Sequence, residues 1–278
     1  MSRRTYSLCH LSMIEVAPAR LAQVASLTGY DLTGFRLTPS PSTGVDHRIL
    51  GDPRALADLR LAVDDAGIGI LDVEVVRMKG PEAIEESRPL LEAAQALGAR
   101  YVVATVEDED PVRRVDTLAS VAELAAQHGT SVAVEFMLFS SARTLSECVE
   151  VVRAAGAPNV VVLADVLHLT RSGSRPADLL AYPASLFPYA QVCGATGSGA
   201  ASDAEEARSE GVRARLMPDE GDLPVAEFVA ALPEAILAVE APLAGQADPA
   251  DPVALAAAML ASARRVAGDA PVESDSAR

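Results

Sequence analysis

Four short apolar runs in the second half of the sequence each end in a side chain with an oxygen that can bind a metal. They are Ser131-Val-Ala-Val-Glu135, Asn159-Val-Val-Val-Leu-Ala-Asp165, Pro188-Tyr-Ala-Gln191 and Ala235-Ile-Leu-Ala-Val-Glu240. A carboxylate at the inner end of such a run is costly to bury without a partner, and three converging on one place repel each other. A divalent cation would remove both penalties. The competing reading is that each acid only caps the helix after its strand; the recurrence at the same point of four successive units favours a shared site. Three carboxylates and one amide suit a hard ion, Mn²⁺ or Mg²⁺, better than Zn²⁺, and Co²⁺ is compatible. Such an ion can chelate the carbonyl and adjacent hydroxyl of an α-hydroxy carbonyl compound, acidify the intervening C–H and stabilise the enediolate. Glu135 and Glu240, one on each side of the substrate, would then remove and return the proton.

The elements that must position these donors repeat along the chain. Strands are expected at Tyr6–Leu11, Tyr30–Leu37, Ile68–Val76, Arg100–Val106, Ser131–Glu135, Val160–Asp165, Tyr189–Val192 and Ile236–Glu240. Helices are expected at Ala19–Leu27, Pro53–Ala66, Pro81–Gly98, Pro111–His128, Thr144–Ala155, near Pro176–Leu180, Pro224–Leu232 and Val253–Ala267. Eight strand-helix units at roughly 30-residue spacing predict an α/β fold, a (β/α)₈ TIM barrel spanning residues 1–268, with a polar, disordered tail after it. A doubly wound sheet lacks support, because no Gly-x-Gly-x-x-Gly follows the first strand. In a barrel the carboxyl ends of all strands surround one mouth, so the four donors converge.

At these residues the chain resembles the sugar phosphate isomerase/epimerase family of xylose isomerase-like TIM barrels. The resemblance covers nearly the whole domain and rests on Val134-Glu135-Phe136, Asp165-Val-Leu-His168, Gln191, the segment Arg215-Leu-Met-Pro-Asp-Glu-Gly-Asp-Leu-Pro224 and Val239-Glu240. In the ketose 3-epimerases of that family a glutamate, an aspartate, a histidine and a second glutamate hold one divalent metal. Glu135, Asp165 and Glu240 match three of them. Gln191 stands where those enzymes have histidine and is similar to the branch that includes hydroxypyruvate isomerase. The resemblance implies that Glu135 and Glu240 are the acid/base pair, that His168 and Arg215 contact substrate, and that the protein forms a homodimer. Glu74 and His10, near other strand ends, are expected to line the pocket in a supporting role. Two positions depart from the family: Cys193-Gly194 where an acid often follows Gln191, and Pro218-Asp219-Glu220-Gly221 for the usual Pro-Gly-Glu-Gly.

The expected activity is isomerisation or epimerisation of a small polyhydroxy carbonyl compound. Loss of hydroxide from the β-carbon would make the same constellation a dehydratase, and a non-catalytic binding barrel is the reading from outside enzymology. A net charge of −16 argues against nucleic acid or an acidic membrane as partner. Lys79 is the only lysine, so a Schiff base would have to run through it. Cys9, Cys148 and Cys193 are scattered and odd in number, as in a reduced, cytoplasmic protein. The opening Ser2-Arg-Arg-Thr-Tyr-Ser-Leu8 superficially matches a twin-arginine export signal, but His10, Ser12 and Glu15 interrupt the apolar stretch such a signal needs. The loop Glu107–Asp110 is expected to be a solvated face with a further role as the start of the next helix, and Phe136-Met-Leu-Phe139 to be core packing, with a shield over the site or a dimer interface as the alternatives.

Overall fold

Side chains along a strand alternate between its two faces, so a strand curled into a barrel sends every second residue into the lumen. The computed structural model describes residues 3–269. Among these residues, eight parallel strands close in sequence order: β1 (Tyr6–Leu8), β2 (Leu32–Arg36), β3 (Gly69–Met78), β4 (Tyr101–Val106), β5 (Ser131–Glu135), β6 (Val160–Asp165), β7 (Tyr189–Val192) and β8 (Ile236–Val239). β8 returns to β1 with Tyr6 opposite Leu237 and Leu8 opposite Val239. This is the (β/α)₈ barrel expected from the spacing.

Two apolar layers result. The lumen is filled by a small set including Cys9, Leu32, Leu71, Val103, Ala133, Leu163, Tyr189 and Ala238. The larger layer lies between the strands and the helices around them, where Val132, Val134, Val162 and Leu237 meet helix residues such as Leu118, Val149 and Leu260. The helices are α1 (Pro18–Thr28), α2 (Pro53–Ala66), α3 (Ala83–Glu86), α4 (Arg88–Leu97), α5 (Arg113–Gln127), α6 (Leu145–Ala155), α7 (Val166–Arg171), α8 (Ala204–Arg213), α9 (Val225–Ala231) and α10 (Pro252–Ala267). No helix of the described residues is long and apolar enough to cross a membrane.

Several local expectations change. β1 ends at Leu8, and the run expected to continue it turns into a 3₁₀ turn, His10–Met13. The single helix expected over Pro81–Gly98 is broken at Ser87 into α3 and α4. The Glu107–Asp110 loop is solvated only in part and also starts the next helix, as expected for its second role. The Asp108 side chain is 2% exposed and is bound by Arg113, while Asp110 accepts the backbone N–H groups of Val112 and Arg113 just ahead of α5. Gly268 ends the domain by capping α10 in the left-handed conformation, and Asp269, the first residue of the expected tail, is tied down by accepting the Tyr6 hydroxyl. The remainder of the expected tail lies outside the described residues.

β7 continues as a single extended stretch that grips the segment after α8. Gly194 and Leu216 exchange two backbone hydrogen bonds of 3.0 and 2.8 Å, and the Arg215 N–H donates to Pro242 O at 3.2 Å. That close approach explains the glycine at the departure from the family pattern. A Cβ on Gly194 would lie 2.2 Å from both the Met217 and the Glu220 carbonyl oxygens, so no acid fits there with this backbone. Gly194→Ala is expected to lower the unfolding free energy by about 1–3 kcal/mol, the usual range for overpacking. Gly199→Ala, with open space around its Cβ, should change it by less than about 0.5 kcal/mol. Urea denaturation of the two variants checks both.

Candidate functional site

The lumen alternation delivers the donors to one place. Stepping two residues from a lumen position leads from Ala133 to Glu135, from Leu163 to Asp165, from Tyr189 to Gln191 and from Ala238 to Glu240. All four side chains reach the carboxyl end of the barrel and are buried or nearly so. Glu135 and Glu240 line a cleft of about 750 Å³, counted to its open mouth. Asp165 and Gln191 are covered by their neighbours.

Arg215 ties the group together. Its Nη1 lies 2.5 Å from Asp165 Oδ2 and its Nη2 2.9 Å from Glu240 Oε2, with the guanidinium 1% exposed. Nε donates to Gly211 O at 2.8 Å, so the fork is fixed from behind as well. Gln191 Nε2 donates to Glu240 Oε1 at 2.9 Å. Asp165 does cap a helix, as the competing reading proposed, and does more: Oδ1 accepts the Leu167 and His168 N–H groups at the start of α7, leaving Oδ2 for Arg215. Arg215 thus sits in the wall of the site against two of the expected ligands.

α7 was not anticipated, and it changes where His168 goes. His168 stands on it with Nε2 at 3.8 Å from Glu135 Oε1. Ligand atoms of Glu135, Asp165 and His168 all lie within 4.8 Å of one another. A residue expected only to touch substrate is therefore also within reach of a shared ion. Burial depresses the imidazole to about 4, which keeps it neutral and able to donate a lone pair at neutral pH.

The charges are frustrated in a specific way. Burial, then the Glu240 and Asp165 charges, push the Glu135 carboxyl well above the carboxylate range. Burial pushes Glu240 up to about 8 against the pull of Arg215. Burial would raise Asp165 too, but Arg215, His168 and the α7 N–H groups outweigh it and hold it low. Three carboxylates and one guanidinium leave two negative charges uncompensated when all are ionised. Gln191 Oε1 and His168 Nδ1 are buried with no partner among the described residues, and Glu135 receives no hydrogen bond there. An unpaired amide oxygen and an unbonded carboxylate around a net deficit of two positive charges are what a divalent cation would satisfy. The residues present fit one.

The other expected residues divide. Glu74 lines the cleft, 3.4 Å from Arg36 Nη1. His10 does not serve the pocket: Nε2 bonds Val16 O at 2.8 Å and Nδ1 accepts the Arg36 N–H at 3.0 Å, so neither ring nitrogen is left for substrate. Lys79 is largely exposed outside the cleft. Of the apolar loop, Phe136 is core, while Met137 and Phe139 line the cleft. Sequence reasoning missed Arg36, Arg77 and Arg208, which also line it. The alternation Leu32-x-Gly34-x-Arg36 would have found the first.

A profile of the xylose isomerase-like TIM barrel matches residues 22–262. The chain belongs to this family. Among curated relatives it is similar to an inosose isomerase of Bacillus licheniformis, 28% identical over 108 residues; the match takes in 35% of this chain and only 39% of that relative. Among solved structures it resembles the IOLI protein with a bound zinc atom, at TM-score 0.79 and 17% identity over 95% of this chain and 98% of the other. It also resembles a D-psicose 3-epimerase crystallised with D-fructose, at TM-score 0.72 and 17% identity over 95% and 99%. At these identities the structural likeness speaks for the shared barrel.

Removing one partner of a buried ion pair strands the other. Arg215→Met is expected to lower the stability of chelator-treated protein by about 3–5 kcal/mol, with part recovered by adding Asp165→Asn. Urea denaturation measures both, and a loss below about 1 kcal/mol would show that the guanidinium is not what holds the carboxylates.

Proposed function

We propose that this chain is a divalent-metal-dependent isomerase or epimerase of a small polyhydroxy carbonyl compound. The observation that carries the reading is the convergence of Glu135 and Glu240 on one cleft, above a buried Asp165, Gln191 and Arg215 whose charges call for a divalent ion. Membership of the xylose isomerase-like family and the likeness to an inosose isomerase and a D-psicose 3-epimerase support the reaction class.

Glu135, Asp165, Gln191 and Glu240 would hold the ion, with His168 as a further nitrogen donor that broadens the choice from Mn²⁺ and Mg²⁺ toward Co²⁺ and Zn²⁺. When bound, the ion supplies Lewis acidity that polarises the substrate carbonyl and makes the neighbouring C–H more acidic.

The chain's own residues do the rest. Glu135 and Glu240 come from β5 and the end of β8, with β6 and β7 between them, and so approach a substrate in the cleft from different sides. One carboxylate takes the C–H proton, and the other carboxyl returns a proton to the opposite face in epimerisation or to the adjacent carbon in isomerisation, where the proton of the neighbouring hydroxyl must also pass to the former carbonyl oxygen. Arg215, rigidly held, offsets negative charge as it builds on the substrate oxygens. Where His168 does not serve the ion, its neutral ring would orient a substrate hydroxyl. Met137 and Phe139 narrow the mouth and limit the water that could intercept the proton.

Two measurements test this. Purified protein is expected to carry one divalent ion per chain by elemental analysis, removable by chelator and restored by Mn²⁺. In D₂O, one substrate C–H should exchange, with the rate falling about 10²–10⁴-fold in Glu240→Gln and in Glu135→Gln, the usual worth of a positioned acid or base. Metal-loaded protein that exchanges no C–H across ketoses, aldoses and short α-hydroxy carbonyl compounds would overturn the reading, and a product lighter by one water would move it to the dehydratases.

A further inference from the structure

The cleft brings arginines together with the acids Glu74, Glu107, Glu135 and Glu240. In a chain of net charge −16, four arginines, Arg36, Arg77, Arg208 and Arg215, line one cleft. Arg215 is committed to Asp165 and Glu240. The other three are not saturated. Arg36 reaches Glu74 only at 3.4 Å, and its Nε is buried with no partner among the described residues. Arg77 reaches Glu107 only at 3.3 Å. Both are loose beside the pairs elsewhere in the fold, such as Arg171–Glu210 at 2.6 Å.

Arg208 is the clearest case. It stands on α8 and, among the described residues, makes no hydrogen bond or ion pair. Its guanidinium lies over the Phe139 ring at 4.5 Å from the centroid, and Phe139 in turn meets His168 edge-on at 5.6 Å. The stacking holds the cation at the cleft while leaving its N–H fork free in the ring plane. These guanidinium groups also feel one another: burial and then the charges of Arg36 and Arg208 lower the Arg77 pKa. Like charges held together at a concave surface, with spare donors, are what an anion relieves.

We propose that the substrate carries an anionic group, a carboxylate or a phosphate, gripped by Arg77 and Arg208 with Arg36 behind them, while its carbonyl end lies at Glu135 and Glu240. The ligand class is then a hydroxy-carbonyl acid or a phosphorylated polyhydroxy carbonyl compound rather than a neutral sugar. The assignment of the carbonyl end rests on the proton-transfer reading above; the anion end does not.

The test uses unreactive frames that differ only at one terminus: glycerate, glycerol 3-phosphate and glycerol, and the same triplets at four and five carbons. Each is titrated calorimetrically into the intact metal-loaded protein, into Arg208→Met and Arg77→Met, and into Arg60→Met as a control far from the cleft. At least one anion should bind more tightly than its neutral counterpart, and the preference should weaken as salt rises. Losing one charge-assisted contact should cut its affinity about tenfold or more in Arg208→Met and in Arg77→Met, with Arg60→Met unchanged. Whether the carboxylate or the phosphate series binds identifies the group. Neutral frames binding as well as the anions, no binding by any anion, or unaltered affinity in both cleft variants would overturn the proposal. Because no turnover is required, anion binding without C–H exchange would leave this inference standing and remove the isomerase reading, and exchange of a neutral ketose without anion binding would do the reverse.

Discussion

Three carboxylates and one guanidinium are held at the carboxyl end of a closed lumen, and most of the local structure is arranged around that imbalance. An ionised carboxyl group away from water needs compensation within hydrogen-bond reach. Here it comes from three sources: the Arg215 fork, the Gln191 amide and the first N–H groups of α7. Each oxygen of Asp165 and of Glu240 has at least one of these partners. Glu135 receives the least, and it faces the cleft. The group with the least internal satisfaction is thus the one open to whatever enters.

The same constraint accounts for the tight turns beyond β7. Arg215 is on neither a strand nor a helix, so its position depends on backbone hydrogen bonds to both neighbours of the mouth, Gly194 on the β7 side and Pro242 on the β8 side. Gly221, with φ +81° and a Cβ direction blocked by Ala195 O, closes the same clamp from the far end of the segment. In sequence the Arg215–Pro224 stretch looks like a loop with a motif. In space it is a strap that carries a cation into the centre of the barrel.

The barrel and its four inward donors were legible because both rest on simple periods: strand after strand at about 30-residue spacing, and alternate residues inward along each. What escaped had no such period. α7 begins on its own cap at Asp165 and reads Val-Leu-His-Leu, which is indistinguishable from more buried strand when only hydrophobicity is considered. α8, Ala-Glu-Glu-Ala-Arg-Ser-Glu-Gly-Val-Arg, buries little beyond Ala207 and Gly211, so it has hardly any apolar stripe to reveal it. With both helices hidden, His168 could not be brought to Glu135, nor Arg208 to Phe139. Arg215 was singled out in sequence, but its burial was not, since a lone arginine in a polar stretch is ordinarily solvent-exposed. His10 was expected beside the pocket in a supporting role, and its two nitrogens are taken by the backbone groups of Val16 and Arg36.

The arginines at the mouth also bear on how the cleft works in so acidic a molecule. A net charge of −16 repels anions at long range, yet the Debye length at physiological salt is only about 8 Å, so that repulsion is mostly screened before a solute reaches the surface. Inside the cleft, low-dielectric walls weaken screening and Arg77 and Arg208 act at close quarters. Attraction of an anion is therefore confined to contact distance and does not extend to steering from afar. Beneath them Glu135 and Glu240 present the opposite sign. Glu74 and Glu107 line the same cleft beside Arg36 and Arg77, so the attraction proposed for an anion is local to the unshared guanidinium donors. With a divalent ion seated, the three carboxylates and Arg215 are balanced, so on the anion proposal it is the spare guanidinium donors of Arg77 and Arg208 at close range, and not repulsion from the floor, that would set which end of the substrate meets Glu135 and Glu240.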